Sequence, residues 1–231
     1  MNICVIPARG GSKRLPRKNI KALDGKPVIH HSIRTAIDSG LFDAVIVSTE
    51  DDEVAAVSIE GGADVPFMRS EKNADDHATT MDVLHEVLTR YEERFEKGVD
   101  HIFCLYPVAP LVKPAYLISA FDLLKQKNEG AMVFPALSYE HPIWRSFTID
   151  RGRATPVFDQ SLNARTQDLK PVYHDAGQWY GFKSKSVRMN TPIDKLERIP
   201  IVLNSMQAQD VDTLEDWKML ELKYALNRGT E

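Results

Sequence analysis

The sequence predicts an α/β protein with a mainly parallel sheet and helices on both faces. Short apolar runs such as NICVIPA (2–8) and AVIVST (44–49) are typical of buried strands. Segments with apolar residues at helical spacing follow these runs, for example PVIHHSIRTAIDSG (27–40) and TTMDVLHEVLTRYEERF (79–95). Because strands and helices alternate along the chain, we expect parallel pairing with crossover helices on both faces of the sheet.

The remaining elements follow the same rhythm in chain order. The further predicted strands are DVPFM (64–68), HIFCLY (101–106), AMVFPAL (131–137), GQWYGFK (177–183) and IPIVL (199–203). The further predicted helices are DDEVAAVSIEGGA (51–63), PAYLISAFDLLKQKN (114–128) and DTLEDWKMLELKYAL (212–226). In the last helix the residues expected to face inward are Leu214, Trp217, Leu220 and Tyr224.

The alternation fails between about 138 and 177, where Pro, Trp and Gly interrupt the pattern. A hairpin is predicted around IDRGRA (149–154). We expect a single domain spanning 1–231, in which this insertion lies over the sheet or reaches another subunit. The sequence therefore predicts a small inserted segment that serves dimerisation, and a homodimer.

Composition limits the classes of function. The chain of 231 residues carries 33 acidic and 29 basic side chains, a formal net charge of −4, which argues against a general nucleic-acid or anionic-membrane binder. Cys4 and Cys104 lie inside apolar runs and form no disulfide framework, which fits a reducing cytoplasm. The apolar N-terminal run is too short for a signal peptide, and no run reaches membrane-spanning length.

A basic, glycine-containing loop follows the first predicted strand. The segment IPARGGSKRLPRKN (6–19) contains five cationic side chains and no acidic one: Arg9, Lys13, Arg14, Arg17 and Lys18. In a doubly wound sheet this loop is a favoured phosphate site, because glycine lets backbone N–H groups approach an anion. Asn19 is suited either to a ribose or to bracing the loop. Two common fingerprints, G-x-G-x-x-G and G-x-x-x-x-G-K-[ST], are absent, and a solvated basic loop remains the alternative.

A pair of carboxylates precedes the last helix. Asp210 and Asp212 lie two residues apart in QDVDTLED (209–216), so in extended backbone both side chains project to the same side. Two hard oxygen ligands together with nucleotide phosphates suit Mg²⁺. The alternative is structural, since Asp212 can cap the helix with Glu215 as its capping-box partner. The spacing alone does not decide between these interpretations.

The segment ARGGSKRLPRKN resembles the A-R-x-G-S-K-x-x-x-x-K-N signature of acylneuraminate cytidylyltransferases, which activate nonulosonic acids with CTP. GKPVIHHSI, SGLFDAVIVST and QDVDTLEDW occur in the family's order, so the resemblance covers nearly the whole chain. It implies a Rossmann-like fold of the nucleotide-diphospho-sugar transferase type, Mg²⁺ at the D-x-D-T motif, and a dimer. The residues that it implies at the nucleotide are Ala8, Arg9, Gly10, Gly11, Ser12, Lys13, Lys18 and Asn19. The resemblance implies catalytic roles for Arg9, Lys13, Lys18 and Asp210.

The segment RSEKNADDHATT (69–80) resembles the family's R-P-x-x-L-x-x-D-x-[TA] motif, which approaches the cytosine. By this resemblance Arg69, Asp76 and Thr79 belong to the nucleotide site, and a guanidinium can donate to the O2 and N3 acceptors of cytosine. Ser70 stands where the motif has proline, and Asn73 stands where it has leucine. The plainer interpretation makes the acidic pair and Thr79 a turn and helix cap, and both can hold together.

The acceptor region distinguishes branches of the family. LYPVAPL (105–111) departs from the glutamine-proline-threonine-serine-proline stretch of sialic acid synthetases, whereas NARTQDLKPVYHDAGQWYGF (163–182) resembles the pseudaminic acid branch. The implied reaction is transfer of CMP from CTP to pseudaminic acid. The residues expected at the sugar acid are Tyr106, Arg145, Arg165, Gln167, His174, Asp175, Gln178, Trp179 and Tyr180. Neighbours on a strand face opposite ways, so one of the adjacent aromatic pair is expected in the core.

Several alternatives remain open at this stage. The acceptor can instead be neuraminic, legionaminic or 3-deoxy-octulosonic acid, and the chain can be a nucleotide-binding module without catalysis. No general base is evident in the sequence. A metal-bound water and the substrate's own carboxylate are both candidates for that role.

Overall fold

The computed structural model describes residues 1–12, 14–75, 77–159 and 164–228. Its strands are β1 (Asn2–Pro7), β2 (Ala22–Leu23), β3 (Lys26–Pro27), β4 (Ala44–Ser48), β5 (His101–Leu105), β6 (Ala131–Ser138), β7 (Phe147–Asp150), β8 (Arg153–Pro156), β9 (Tyr173–Asp175), β10 (Trp179–Lys183) and β11 (Glu197–Leu203). Its α-helices are α1 (Val28–Asp38), α2 (Asp52–Glu60), α3 (Thr80–Phe95), α4 (Pro114–Lys125), α5 (Ser184–Arg188) and α6 (Leu214–Arg228).

The central sheet has the strand order β11-β6-β10-β5-β1-β4, and β9 pairs with the end of β6. The pairs β1–β4, β1–β5 and β11–β6 are parallel, whereas β10 runs antiparallel to both of its neighbours. The predicted mainly parallel sheet is confirmed. The direction of β10 was not predicted, because a fully buried apolar strand has no direction in its residue pattern.

Helices cover both faces of this sheet, as predicted. One face packs against apolar residues of α1, α2 and α4, among them Ile33, Val54 and Leu117. The other face packs against α3 and α5 through residues such as Leu84 and Val187. A third cluster joins α6 to the loops that follow β1 and β5. These packed layers fix the strand ends at which the site is found.

Two predictions about local structure are wrong. The run 64–68 forms no strand, and Asp64 makes only an isolated bridge to Ile46, because Pro66 has no N–H to donate to a ladder. Leu214, expected to face inward, is 55% exposed because it lies at the first position of α6, outside the face that Trp217 and Leu220 bury.

The inserted segment contains the predicted hairpin, formed by β7 and β8 around Arg151 and Gly152, which both have positive φ. Its strands expose large apolar side chains, including Phe147 and Ile149. No helix in the described ranges combines the length and the apolar character needed to cross a membrane.

The topology positions one edge of the sheet for ligand binding. The chain places β4 on one side of β1 and then returns to place β5 on the other side. Such a reversal of strand order opens a crevice beyond the carboxyl ends of the strands. The basic loop after β1 therefore lies at the place where a doubly wound sheet binds its ligand.

Candidate functional site

A cleft of about 710 Å³ lies beyond the carboxyl ends of β1 and β5. This size is that of a small-molecule site. Many sequence-predicted site residues meet there, although they are distant along the chain. Those that line the cleft are Arg9, Ser12, Lys18, Asn19, Arg69, Thr79, Tyr106, Tyr180, Asp210 and Asp212.

The glycines of the basic loop differ in their surroundings. The Gly10 N–H donates to Oε1 of Glu50 at 2.7 Å, so it is already bonded to a carboxylate of the chain. A Cβ on Gly10 would lie 2.2 Å from Oδ2 of Asp51, whereas a Cβ on Gly11 would meet nothing within 4 Å. Ala8, just before them, is fully buried. Glycine is therefore required at position 10 because the backbone there passes close to the acidic loop after β4.

Arg17 connects the basic loop to the same acidic segment. Its guanidinium donates to both carboxylate oxygens of Asp51, at 2.6 and 3.1 Å, and also pairs with Glu53. Hydrogen bonding by Arg17 holds the pKa of the Asp51 carboxyl below its usual range. Part of the positive charge of the loop is thus balanced by acids 34 to 36 residues away. Lys13 lies outside the described residues.

The different surroundings of the two glycines give a matched prediction. Gly10→Ala is expected to lower the stability of the chain by about 1–3 kcal/mol, because Arg17 and the Val54 N–H hold Asp51 against the new methyl group. Gly11→Ala has open space and is expected to keep the wild-type melting temperature. Thermal unfolding of both variants is the measurement, and equal melting temperatures would contradict the prediction.

Asn19 and Lys18 fix the far end of the loop. The Asn19 amide donates to the Arg9 carbonyl oxygen at 2.8 Å, so it braces the loop in this structure. The Lys18 ammonium donates to the Val211 carbonyl oxygen at 2.5 Å and lies 3.4 Å from Oδ1 of Asp212. These contacts join the basic loop to the acidic loop before α6.

Asp212 stands between two cations. Its Oδ2 lies 3.0 Å from the Arg14 guanidinium, and its other oxygen faces Lys18. Asp210 and Asp212 both line the cleft, and so does the buried Val211 between them. Both carboxylates therefore belong to the same wall of the site.

The cap of α6 is not the one expected from the sequence. Thr213 and Asp216 bond reciprocally, the Asp216 N–H to the Thr213 hydroxyl at 3.2 Å and the Thr213 N–H to the Asp216 carboxylate at 2.8 Å. The predicted pair of Asp212 and Glu215 is therefore wrong by one residue. Asp212 is not needed as a cap.

Asp210 and Asp212 are the residues of this acidic wall that could hold a metal ion. Asp210 and Asp212 supply hard oxygen donors, and Mg²⁺ keeps several waters and commonly takes phosphate oxygens beside one or two carboxylates. No group of three or more His, Cys, Asp or Glu residues that could hold a metal occurs among the described residues. A set of two carboxylates is compatible with Mg²⁺, which needs no all-protein ligand set.

Arg69 is a buried residue that lines the cleft. Its Nε donates to the Ser48 hydroxyl at 3.0 Å, and a second guanidinium nitrogen donates to the Ser48 carbonyl oxygen. The backbone N–H of Arg69 donates to the Thr49 carbonyl oxygen. Burial lowers the pKa of the guanidinium, an effect opposed by the charges of Glu50 and Glu86. The end of β4 therefore holds a cationic side chain rigidly at the cleft.

Thr79 is both a cleft residue and a helix cap. Its hydroxyl accepts from the Asp82 N–H at 3.2 Å, and the Asp82 carboxylate accepts the Thr79 N–H, which completes a capping box for α3. The two interpretations of this threonine hold together. Asp76 lies outside the described residues.

Two tyrosines, Tyr106 and Tyr180, also line the cleft. The Tyr106 hydroxyl bonds Thr80 Oγ1 at 2.8 Å, and the Tyr180 hydroxyl donates to Asp175 at 2.9 Å. Their rings meet edge to face, with centroids 5.8 Å apart. Burial raises the pKa of both phenols, so both remain protonated near neutral pH. They present hydroxyl groups and flat apolar faces in fixed positions.

Trp179 and Gln178 do not line the cleft. Trp179 is fully buried in the core beside Phe103, because alternation along β10 turns it away from the face that carries Tyr180. The Gln178 amide donates to the backbone oxygens of Ala176 and Gln209, at 3.3 and 3.2 Å. The Gln178 side chain thus connects the start of β10 to the acidic loop before α6.

The other expected acceptor residues lie on the insertion and do not line the cleft, although one of them, Asp175, accepts a hydrogen bond from the cleft residue Tyr180. Arg145 donates to the Ala164 carbonyl oxygen at 2.5 Å, and Arg165 forms an ion pair with Asp168 at 2.8 Å. Gln167 is exposed, and His174 packs against Tyr139. The structure does not bring these side chains to the site within one chain.

Several lining residues were missed. Arg14 forms an ion pair with Asp212 at the cleft, and its place in the basic loop was a signal that the family signature did not use. Thr80 and Asn73 also line the cleft. Both lie in the segment 69–80. Asn73 departs from the family motif, and Thr80 follows the predicted helix cap, so neither was predicted to line a site.

Doubly wound α/β proteins bind nucleotides in a crevice at a reversal of strand order. This chain has the doubly wound α/β fold, and its basic cleft lies at such a reversal. A family model described as Cytidylyltransferase matches residues 3–209. The chain belongs to the cytidylyltransferase family.

Curated relatives cover nearly the whole chain. The pseudaminic acid cytidylyltransferase of Campylobacter jejuni is 37% identical over 227 residues, which is 98% of this chain and 97% of that protein. The CMP-N,N'-diacetyllegionaminic acid synthase of Legionella pneumophila is 33% identical over 98% of this chain and 97% of its own length. Sequence similarity thus extends to more than one branch of the family.

A solved structure supports the fold. The CMP:2-keto-3-deoxy-manno-octonic acid synthetase, solved as a complex with CTP, superposes with a TM-score of 0.73. The alignment covers 98% of this chain and 99% of that one, at 17% sequence identity. This chain therefore shares the overall fold of that synthetase.

Proposed function

We propose that this chain transfers CMP from CTP to the anomeric hydroxyl of pseudaminic acid and releases pyrophosphate. The observation that carries the proposal is 37% identity, over nearly the full length of both chains, to the Campylobacter jejuni protein named for this activity. The cleft adds the required chemistry, because cationic side chains, two carboxylates and two tyrosines line it together.

The basic loop would hold the triphosphate. Arg9, Ser12 and Lys18 offer two cations and a hydroxyl at the cleft, and Arg69 offers guanidinium donors for the cytosine. Neutralising the phosphate charge and aligning the attacking and leaving oxygens are the main demands of phosphoryl transfer. These residues are suited to both demands.

Mg²⁺ is part of the proposal. Asp210 and Asp212 would hold it, and the ion when bound supplies charge neutralisation at the nucleotide phosphates. Lys18 and Arg14 form ion pairs with Asp212 and hold its carboxylate at the cleft. The carboxylate pair would thus bring the metal ion beside the phosphates that the basic loop holds.

The reaction forms one P–O bond and breaks another. The anomeric hydroxyl oxygen attacks the α-phosphorus, the bond to the bridging oxygen of pyrophosphate breaks, and the hydroxyl proton is released. Tyr106 and Tyr180 present their hydroxyl groups at the acceptor side, where they can bond the sugar acid and orient its attacking oxygen.

The insertion supports a homodimer as part of the proposal. Its hairpin exposes Phe147 and Ile149, large apolar side chains that a partner subunit would cover. Arg145 and Arg165 lie on the same insertion, so they are candidates to reach the acceptor carboxylate in a partner's cleft. A cytoplasmic location is proposed with it, supported by the buried free thiols of Cys4 and Cys104.

The test is pyrophosphate release with CTP and Mg²⁺ against a panel of sugar acids. Pseudaminic acid is expected to give the highest kcat/KM, and N-acetylneuraminic and 3-deoxy-octulosonic acids are expected to be poor acceptors. Equal turnover of N-acetylneuraminic acid would overturn the choice of acceptor. CTP binding without turnover of any acid would identify a non-catalytic module instead.

Legionaminic acid is the second candidate acceptor. Its support is the 33% identity to the Legionella pneumophila synthase, which also extends over nearly both chains. The two acids belong in the same panel, because the ratio of their kcat/KM values decides between the candidates directly.

A further inference from the structure

The two departures from the cytosine-side motif, Ser70 and Asn73, converge on one carboxylate. The Ser70 N–H donates to Oε1 of Glu86 at 2.8 Å, and the Ser70 hydroxyl donates to Oε2 at 2.7 Å. The Asn73 amide donates to the same Oε2 at 2.6 Å. A proline at position 70 would lack the N–H and a leucine at position 73 would lack the amide, so both substitutions supply donors to Glu86.

Arg90, one turn further along α3, extends this anchor. Its guanidinium donates to Glu86 at 2.9 Å and to the Met68 carbonyl oxygen at 2.7 Å, and it lies 4.1 Å from the centre of the Phe67 ring. The side chains of Glu86 and Arg90 thus hold the segment 67–73, which forms no strand of its own. The cleft wall formed by Arg69 and Asn73 is therefore fixed by α3.

The charge of Glu86 matters as well as its hydrogen bonds. Its side chain is only 11% exposed, and although burial opposes ionisation, the donors from Ser70 and Asn73 keep the pKa of its carboxyl below the usual range. The same negative charge opposes the lowering of the Arg69 pKa by burial. Replacement of the Glu86 carboxylate would therefore have two effects. It would loosen the segment 67–73, and it would remove a negative charge that balances the buried Arg69 guanidinium.

We propose that Glu86 is a positioning residue for nucleotide recognition: through Ser70 and Asn73 it holds the wall that carries Arg69, and so sets affinity and selectivity for the cytosine base. This inference rests on the proposed use of CTP. Glu86 does not line the cleft, so its action on the nucleotide passes through the segment that it anchors.

The experiment compares Glu86→Gln with Glu92→Gln on the same helix. Glu92 accepts from the Val99 N–H at 2.9 Å and pairs with Arg188, so it is a comparable anchor that holds the start of β5 instead of the cleft wall. Glu86→Gln is expected to raise the KM for CTP about tenfold, to reduce the preference for CTP over UTP several-fold, and to change kcat little. Glu92→Gln is expected to lower the melting temperature without changing the KM or the preference.

The outcomes separate the two levels of the proposal. If the wild-type protein neither binds nor turns over CTP, the proposed function fails. If it does so and Glu86→Gln keeps the wild-type KM and base preference, the positioning role is overturned. Should Glu86→Gln not fold, Ser70→Ala and Asn73→Ala provide the same readout, and unchanged KM values in both would also overturn it.

Discussion

Replacement of Lys18 by methionine is expected to lower kcat/KM for CTP by about 10²–10³-fold, the loss typical of removing one preorganised donor from a developing charge. Methionine keeps the apolar stem but removes the ammonium group, which lies between the Val211 carbonyl oxygen and Asp212 at the cleft. The loss should appear in both kcat and KM, because the phosphates are bound in the ground state as well as in the transition state. Steady-state pyrophosphate release is the measurement.

A matched control lies in the small ribbon after the loop. Lys26 is exposed on β3 and does not line the cleft, so Lys26→Met removes one positive charge from the surface near the site without touching it. Its kinetics are expected to remain at the wild-type values. If Lys18→Met instead loses only melting temperature and keeps its kinetics, the ammonium merely connects two loops and does not hold phosphate.

Much of the fold follows from local patterns in the sequence. The short apolar runs gave β1, β4 and β5, and helical spacing gave the helices that cover both faces, because burial of one stripe imposes its period on the residues. The wrong strand at 64–68 has a physical cause, since hydrophobicity outweighed the missing N–H of Pro66 in that prediction. Instead, arginines of α3 bond the carbonyl oxygens of that segment, a tertiary contact that no window of the sequence contains.

The candidate site was predictable where its residues act locally. The loop after β1 and the acidic pair before α6 both line the cleft, because strand ends on one edge of a parallel sheet converge. The partners Glu50, Asp51 and Glu86 were not predicted, since each lies at least 13 residues from the group it holds. The cap of α6 shows the limit at short range: threonine and aspartate both cap helices, so the sequence alone did not choose between Thr213 and its neighbour.

Replacement of Asp210 by asparagine is expected to reduce kcat by about 10²–10³-fold, with the remaining rate requiring a higher Mg²⁺ concentration. The side chain now accepts the Val211 N–H at 2.9 Å, and the asparagine carbonyl oxygen can keep that bond. The substitution therefore removes charge while it preserves the local backbone. Pyrophosphate release measured over a Mg²⁺ series tests the effect.

Asp216 is the control that separates a catalytic carboxylate from a structural one, six residues further along the same loop and helix. It caps α6 with Thr213, and bonding to the Asp212 N–H and the Thr213 hydroxyl holds the pKa of its carboxyl below the usual range. Asp216→Asn is expected to cost roughly 0.5–2 kcal/mol of stability through the weakened cap, with kcat and the Mg²⁺ dependence unchanged. If both variants lose only stability, then the acidic wall positions α6 and does not hold Mg²⁺. If only Asp210→Asn changes the Mg²⁺ dependence, the metal belongs to the wall that Lys18 and Arg14 face.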